Sequence, residues 1–301
     1  MKYRSMKRTL TVLLVLACGA CATTHPLAPQ PVVESGASNP LAIVQIPTSI
    51  PQGGLLFGLV PPGSTLDDGG RAVRIASNGR FVVGVAREQS GSVSLKLTAP
   101  DGSVRMLDVA IVPRTYPMER VNGVPEETVN PSPEIAERIK REQAEVDAVR
   151  THDDDRTDFD TEFVWPVKGR ISGVFGSQRI YNGTPASPHS GVDIAAAQGT
   201  PIHAPAAGIV SFANPDLYLT GGTVLIDHGH GVSSNFLHMS RIDVKVGDRV
   251  QQGQVIGLVG ATGRATGPHM HWGMNWFNVR VDPQLLMQGM PKSSAVTPEA
   301  N

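Results

Sequence analysis

Cysteine is almost missing from this chain of 301 residues: the two present, Cys18 and Cys21, both stand in the first 21 positions. The remainder can form no disulfide, and any metal site there is built without thiolates. Charge of one sign is missing too. The 26 basic residues nearly cancel the 27 acidic ones, so nothing steers the chain towards nucleic acid, and no such partner is expected. Long apolar runs are absent as well. The run at 10–17 is too short to span a bilayer, which needs about 18 or more apolar residues, and no other segment is longer. What the chain does have is histidine: seven of its nine fall between His189 and His271.

The N-terminus has the pattern of an export signal. Lys2, Arg4, Lys7 and Arg8 precede the apolar run. Ala20-Cys21-Ala22 fits a small-x-small cleavage site, and Gly19-Ala20-Cys21 resembles a bacterial lipoprotein box, which makes Cys21 a candidate lipid anchor. Cys18 departs from the leucine-like residue of that box. Residues 1–21 are thus expected to be a signal peptide, and the proline-rich stretch 22–42 a tether. An exported chain of this kind belongs in the periplasm, and a lipidated one on the outer membrane facing it.

Short β segments between turn signals fill 43–115, among them residues 81–85, 93–97 and 104–112, with Pro100-Asp-Gly102 as a hairpin turn. A small β-sandwich-like domain is expected. Within the linker 116–162, a helix is predicted at about 133–150. Ser132 is its N-cap, Pro133 its first residue, and Ile135, Ile139, Val146 and Val149 its apolar stripe. Asp153-Asp-Asp155 is expected to be solvated. From 163 to 288 glycine punctuates short apolar segments and helix signals are weak, so an antiparallel β domain is predicted, followed by a disordered tail at 289–301.

That second domain holds the chemistry. Ser187-Pro-His-Ser-Gly-Val-Asp193 places an imidazole four residues before a carboxylate. A straight strand would hold the Cα atoms of His189 and Asp193 roughly 13 Å apart, so a shared ion requires a bend, and Gly191 permits one. In Gly267-Pro-His-Met-His-Trp-Gly273, strand alternation sends His269 and His271 to one face. A further histidine, His238, stands in Phe236-Leu-His-Met-Ser240.

Taken in order with Phe175-Gly-Ser-Gln-Arg179 and Gly199-Thr-Pro-Ile-His-Ala-Pro-Ala-Ala-Gly208, these stretches resemble the LytM/lysostaphin-type zinc endopeptidases over residues 165–283. The resemblance implies an antiparallel β-sheet with a groove above it and one Zn2+ per chain. By position it makes His189, Asp193 and His271 the metal ligands and His238 and His269 the catalytic histidines. The implied activity is hydrolysis of the peptide stems that cross-link bacterial peptidoglycan. Phe236 stands where many relatives carry Tyr, and Tyr181 is a candidate oxyanion donor in its place. His203, His228 and His230 are expected outside the site, the latter two in a turn whose glycines leave them poorly fixed.

Two other classes compete. Some members of such a family have lost ligands and act as non-catalytic regulators that bind or activate other wall hydrolases; here all five positions are filled. Val246-Gly-Asp-Arg-Val-Gln-Gln-Gly253 also resembles the hairpin of carrier domains, but no suitably placed acceptor lysine accompanies it. The sequence leaves open whether the N-terminal module or the linker 153–161 covers the groove.

Overall fold

Alternation of apolar and polar residues shapes the first sheet. In the strands Ser92–Thr98 and Val104–Val112, Val93, Leu95, Leu97, Leu107, Val109 and Ile111 are buried and the intervening residues largely exposed, so one face is covered and the other wet. Around this pair a five-stranded sheet forms, in the order Ser49–Pro51, Val104–Val112, Ser92–Thr98, Thr65–Asp67, Ala72–Val73. Leu55–Leu59 and Arg80–Gly84 make a separate two-stranded sheet, and both sheets feed one apolar cluster. The computed structural model of the chain describes residues 40–287. The expected signal segment, Cys21, nearly all of the tether and the tail lie outside them. No helix among the described residues is long and apolar enough to cross a membrane.

The helix runs over Pro133–Val149, with the Ser132 hydroxyl accepting from the Ile135 amide. Its buried residue, Val146, packs on Leu217 and Leu225 of the large sheet. The segment before it is more ordered than a linker. Met118–Val121 is a strand, paired in parallel with Gln178–Tyr181.

The large sheet is antiparallel and has eight strands. Arg249–Val250, Gly208–Leu217, Gly221–Asp227, Val232–Met239, His269–Trp276, Gly191–Ala195 and Arg170–Gly173 lie side by side, and Val279–Val281 also pairs with His269–Trp276. The strand His-Met-His-Trp-Gly-Met-Asn-Trp explains the sheet's two faces. Met270, Trp272, Met274 and Trp276 point into the apolar core, where Trp272 stands in register with Val192 and Phe236. His269, His271, Gly273 and Asn275 take the other face by period-two alternation.

The same core continues into the N-terminal sheets. Gly84 lies so close to Trp276 that a Cβ there would stand 2.6 Å from the Trp276 Cβ. Arg114 pairs with Asp282 at 2.7 Å. Phe159, from the segment after the helix, stacks on Phe57 and lies against His230.

Candidate metal centre

Register brings the first two donors together. Asp193 stands directly opposite His271 on the neighbouring strand. His189 precedes that strand, and backbone hydrogen bonds from His189 N to Ser177 O and from Gly176 N to His189 O hold the turn. The bend that the sequence required is therefore the junction between an anchored loop and the strand beginning at Gly191. His189 Nδ1 lies 3.0 Å from Val174 O. As the donor to that carbonyl it leaves Nε2 as a lone pair.

His189 Nε2 is 3.0 Å from His271 Nδ1 and 3.0 Å from Asp193 Oδ1, and His271 Nδ1 is 2.9 Å from the same oxygen. Three acceptor-capable atoms form a near-equilateral triangle. Bonds of about 2.0–2.1 Å in tetrahedral geometry set neighbouring ligand atoms roughly 3.3 Å apart, so a small relaxation of this triangle admits an ion. Among the described residues, His271 Nε2 is buried without a hydrogen-bond partner. That nitrogen carries the proton once Nδ1 is a ligand, so the donor set fits a metal bound through Nδ1.

Two glycines give this triangle room. A Cβ on Gly191 would meet Trp272 O and, at 2.7 Å, His271 Nε2. A Cβ on Gly173 would lie 2.5 Å from both Arg179 Nη2 and Asp193 Oδ2. Those two atoms are themselves paired at 2.8 Å, and Arg179 Nε lies 3.0 Å from Glu119 Oε2 of the strand Met118–Val121. Burial alone would raise the Asp193 carboxyl, but His189 and His271 beside it hold it well below the usual carboxylate range. Burial pushes the His271 imidazole down to about 4.

Two more imidazoles face the triangle. His238 has φ 61, rare for a residue with a side chain. Strict alternation would send it to the face opposite Leu237. The left-handed turn lets both line the cleft. Its Nδ1 lies 2.7 Å from Thr262 O, and the Nδ1 of His269 lies 2.9 Å from Gly267 O. Both rings thus present Nε2 as the open nitrogen. The two rings stand 4.7 Å apart, and His269 Nε2 is 3.8 Å from Asp193 Oδ1. Burial, reinforced by His269 and His271, pushes His238 down to about 3.

Residues 187–283 match the family Peptidase family M23. The crystal structure of an M23 peptidase from Pseudomonas aeruginosa superposes with a TM-score of 0.60 at 34% identity, covering 78% of this chain and 93% of that one. The chain belongs to peptidase family M23. Among curated M23 relatives, the peptidoglycan DD-endopeptidase ShyA of Vibrio cholerae is 42% identical over 111 residues, 36% of this chain and 26% of the relative. The peptidoglycan DD-endopeptidase ShyC of the same organism is 35% identical over 132 residues, 44% of this chain and 30% of the relative. This M23 chain therefore matches less than a third of the length of either.

The five side chains singled out in the sequence all meet in one cleft of about 860 Å³. Tyr181 lines it too, beneath the Arg264 guanidinium, which stands 4.3 Å from its ring centre. Sequence reasoning missed Arg179 and Glu119 as supports of Asp193. Arg179 sits in a quoted motif, but Glu119 carries no local signal, because its role depends on a parallel pairing across more than fifty residues. The linker 153–161 does not line the cleft; residues 119–129 form part of its wall instead. Asp153 and Asp154 are not simply solvated but pair with Arg74 and Arg156.

His228 and His230 differ from the expectation of loosely held turn residues, since both are buried. His228 Nδ1 lies 2.7 Å from Ala207 O, and Nε2 lies 2.9 Å from the Ser234 hydroxyl. His152, Asp154 and Asp227 also converge. Arg156 occupies that cluster, with Nε 2.8 Å from Asp154 and Nη2 2.7 Å from Asp227, so a guanidinium already supplies its positive charge.

Proposed function

We propose that this chain is a zinc-dependent endopeptidase that hydrolyses peptide cross-links of bacterial peptidoglycan. The observation that carries it is the triangle of His189 Nε2, His271 Nδ1 and Asp193 Oδ1, no side longer than 3.0 Å, with two further imidazoles beside it. The names of the Vibrio cholerae relatives support the substrate class.

His189, Asp193 and His271 would hold one zinc ion, which when bound supplies Lewis acidity and a water whose pKa falls towards neutrality. The rest belongs to the chain. Thr262 O and Gly267 O fix the Nδ1–H tautomers of His238 and His269. Their Nε2 atoms are then placed to take the proton of the attacking water and return it to the departing amine. Arg179 orients Asp193 through the contact to its Oδ2. The cleft leaves room for an extended peptide along the sheet.

The test is a digest of cross-linked muropeptides by the purified full chain, with and without a chelator. New amine termini that vanish with chelator and return with zinc are expected. A zinc-loaded chain that releases no product would leave the regulator reading in its place. Export to the periplasm, with Cys21 as the lipid anchor, belongs to the same proposal. Metabolic labelling with a fatty acid tests the anchor, and an unlabelled mature chain means simple secretion.

A further inference from the structure

His189 differs from the other two ligands in what holds it. Asp193 and His271 stand opposite each other on paired strands of the large sheet. His189 lies on the loop before its strand, and its local bonds all go to one turn, residues 174–177. Its amide donates to Ser177 O, its carbonyl accepts from Gly176 N, and its Nδ1 lies 3.0 Å from Val174 O. The direction of this imidazole therefore depends on what fixes the turn.

Residues that precede the helix fix it. Arg87, just past the strand Arg80–Gly84, donates from Nε to Gly176 O at 2.7 Å. Its guanidinium lies on the face of Tyr116, 4.3 Å from the ring centre. The same ring leaves no space for a side chain at Gly176, whose φ is 79. Tyr116 also meets Phe175 edge-on, with ring centres 6.4 Å apart. Phe175 is buried against Gly53, where a Cβ would stand 2.6 Å from the phenyl ring. Next to Gly53, the Gln52 carbonyl accepts from Arg114 Nη1 at 3.0 Å, and Arg114 flanks Tyr116 in turn. Beyond the turn, Gln178 N donates to Pro117 O at 2.8 Å. None of these partners belongs to the large sheet.

We propose that the N-terminal β region is a structural part of the metal centre, with Arg87 a positioning residue that fixes His189 through Gly176. The proposal rests on the reading of His189, Asp193 and His271 as zinc ligands. Gly176 carries the connection in one residue: its carbonyl accepts from Arg87, and its amide donates to His189 O. A bond from a guanidinium to a carbonyl is stronger than one between neutral groups, and the aromatic face under the guanidinium holds the donor in place. A ligand on a loop without such support has to be ordered as the metal binds, at a cost in affinity.

The experiment has two arms, both on the full chain. In the first, zinc affinity is measured by competition with a chromophoric chelator. Arg87→Gln is expected to weaken it by about tenfold, the lower end of what the loss of an orienting partner does, and Arg87→Lys recovers part of that. Arg71 is the control: its guanidinium lies on the rings of Trp276 and Phe277, elsewhere along the contact between the N-terminal region and the large sheet. Arg71→Gln keeps the parental affinity. In the second arm, amide hydrogen exchange is followed in the zinc-free proteins. Faster exchange at Gly176 and His189 in Arg87→Gln, with the His271 amide unchanged, supports the proposal. Zinc affinity and exchange both unchanged in Arg87→Gln overturn it and leave the zinc reading intact. Equal weakening in Arg71→Gln, or faster exchange at His271 as well, means a generally loosened fold and also overturns it. A parent chain that binds no zinc removes the ligand reading, and the proposal with it.

Discussion

Asp193 divides its carboxylate between two partners: Oδ1 lies 2.9 Å from His271 Nδ1, and Oδ2 accepts from Arg179 Nη2 at 2.8 Å. The second contact leaves one oxygen for the metal and fixes the plane of the group. Glu119, at the other end of Arg179, connects this centre to the segment that leads into the helix. Partners that orient metal ligands fix their direction and raise their basicity, so losing one weakens the metal site. Arg179→Gln is therefore expected to weaken zinc binding by about 10–100-fold, and Glu119→Gln by less. Competition with a chromophoric chelator measures both. Unchanged affinity in Arg179→Gln would mean that Asp193 is held by the strand alone.

The ligand set and the two open imidazoles separate by metal content. His189→Ala, Asp193→Ala and His271→Ala are expected to lose stoichiometric zinc and all turnover. His238→Ala and His269→Ala keep one zinc per chain but lose about 10²–10⁴-fold in kcat, the usual contribution of a positioned acid or base. Elemental analysis alongside a muropeptide digest checks this. Loss of the metal in His269→Ala would move that residue into the ligand set.

Much of this site was legible in the sequence because its parts follow local rules. The period of two in the segment 269–276 places His269 and His271 on one face without any tertiary knowledge. Ser132 and Pro133 announce the helix start at the residue where it occurs. What stayed hidden depends on distant contacts. His238 reaches the cleft through a left-handed φ of 61 that no neighbouring glycine signals. His228 and His230 lie in a glycine-flanked turn and read as exposed, but the chain at Phe159 covers them, with Phe159 N bonded to His228 O. The pairing of Met118–Val121 with Gln178–Tyr181 is also invisible to periodicity, since four residues of mixed polarity carry no strand signal of their own.

Phe159 is the place where the N-terminal sheets, the post-helix segment and the large sheet meet. Its ring is 1% exposed, 6.4 Å from Phe57 and 4.5 Å from His230. Phe159→Ala empties that contact, and such truncations cost about 3–5 kcal/mol. Because one apolar cluster runs through both β regions, the loss is expected to shift a single urea transition to lower denaturant. Two separated transitions in the variant would show that the regions unfold independently.

His228 makes stability depend on pH. It is fully buried, its two ring nitrogens engaged by Ala207 O and the Ser234 hydroxyl, and burial pushes it down to about 4. The unfolded imidazole titrates near 6.5. Between these values the unfolded chain binds a proton that the folded chain refuses, so the contribution is present in full above about 6.5 and is lost as pH falls towards 4. The loss amounts to roughly 3 kcal/mol for this residue. His228→Gln can keep one donor and one acceptor while removing the titration. Its stability should therefore fall less steeply than that of the parent between pH 7 and pH 4, measured by urea unfolding at each pH. Parallel curves for the two proteins would mean that His228 is protonated, or free of its burial, in the folded chain.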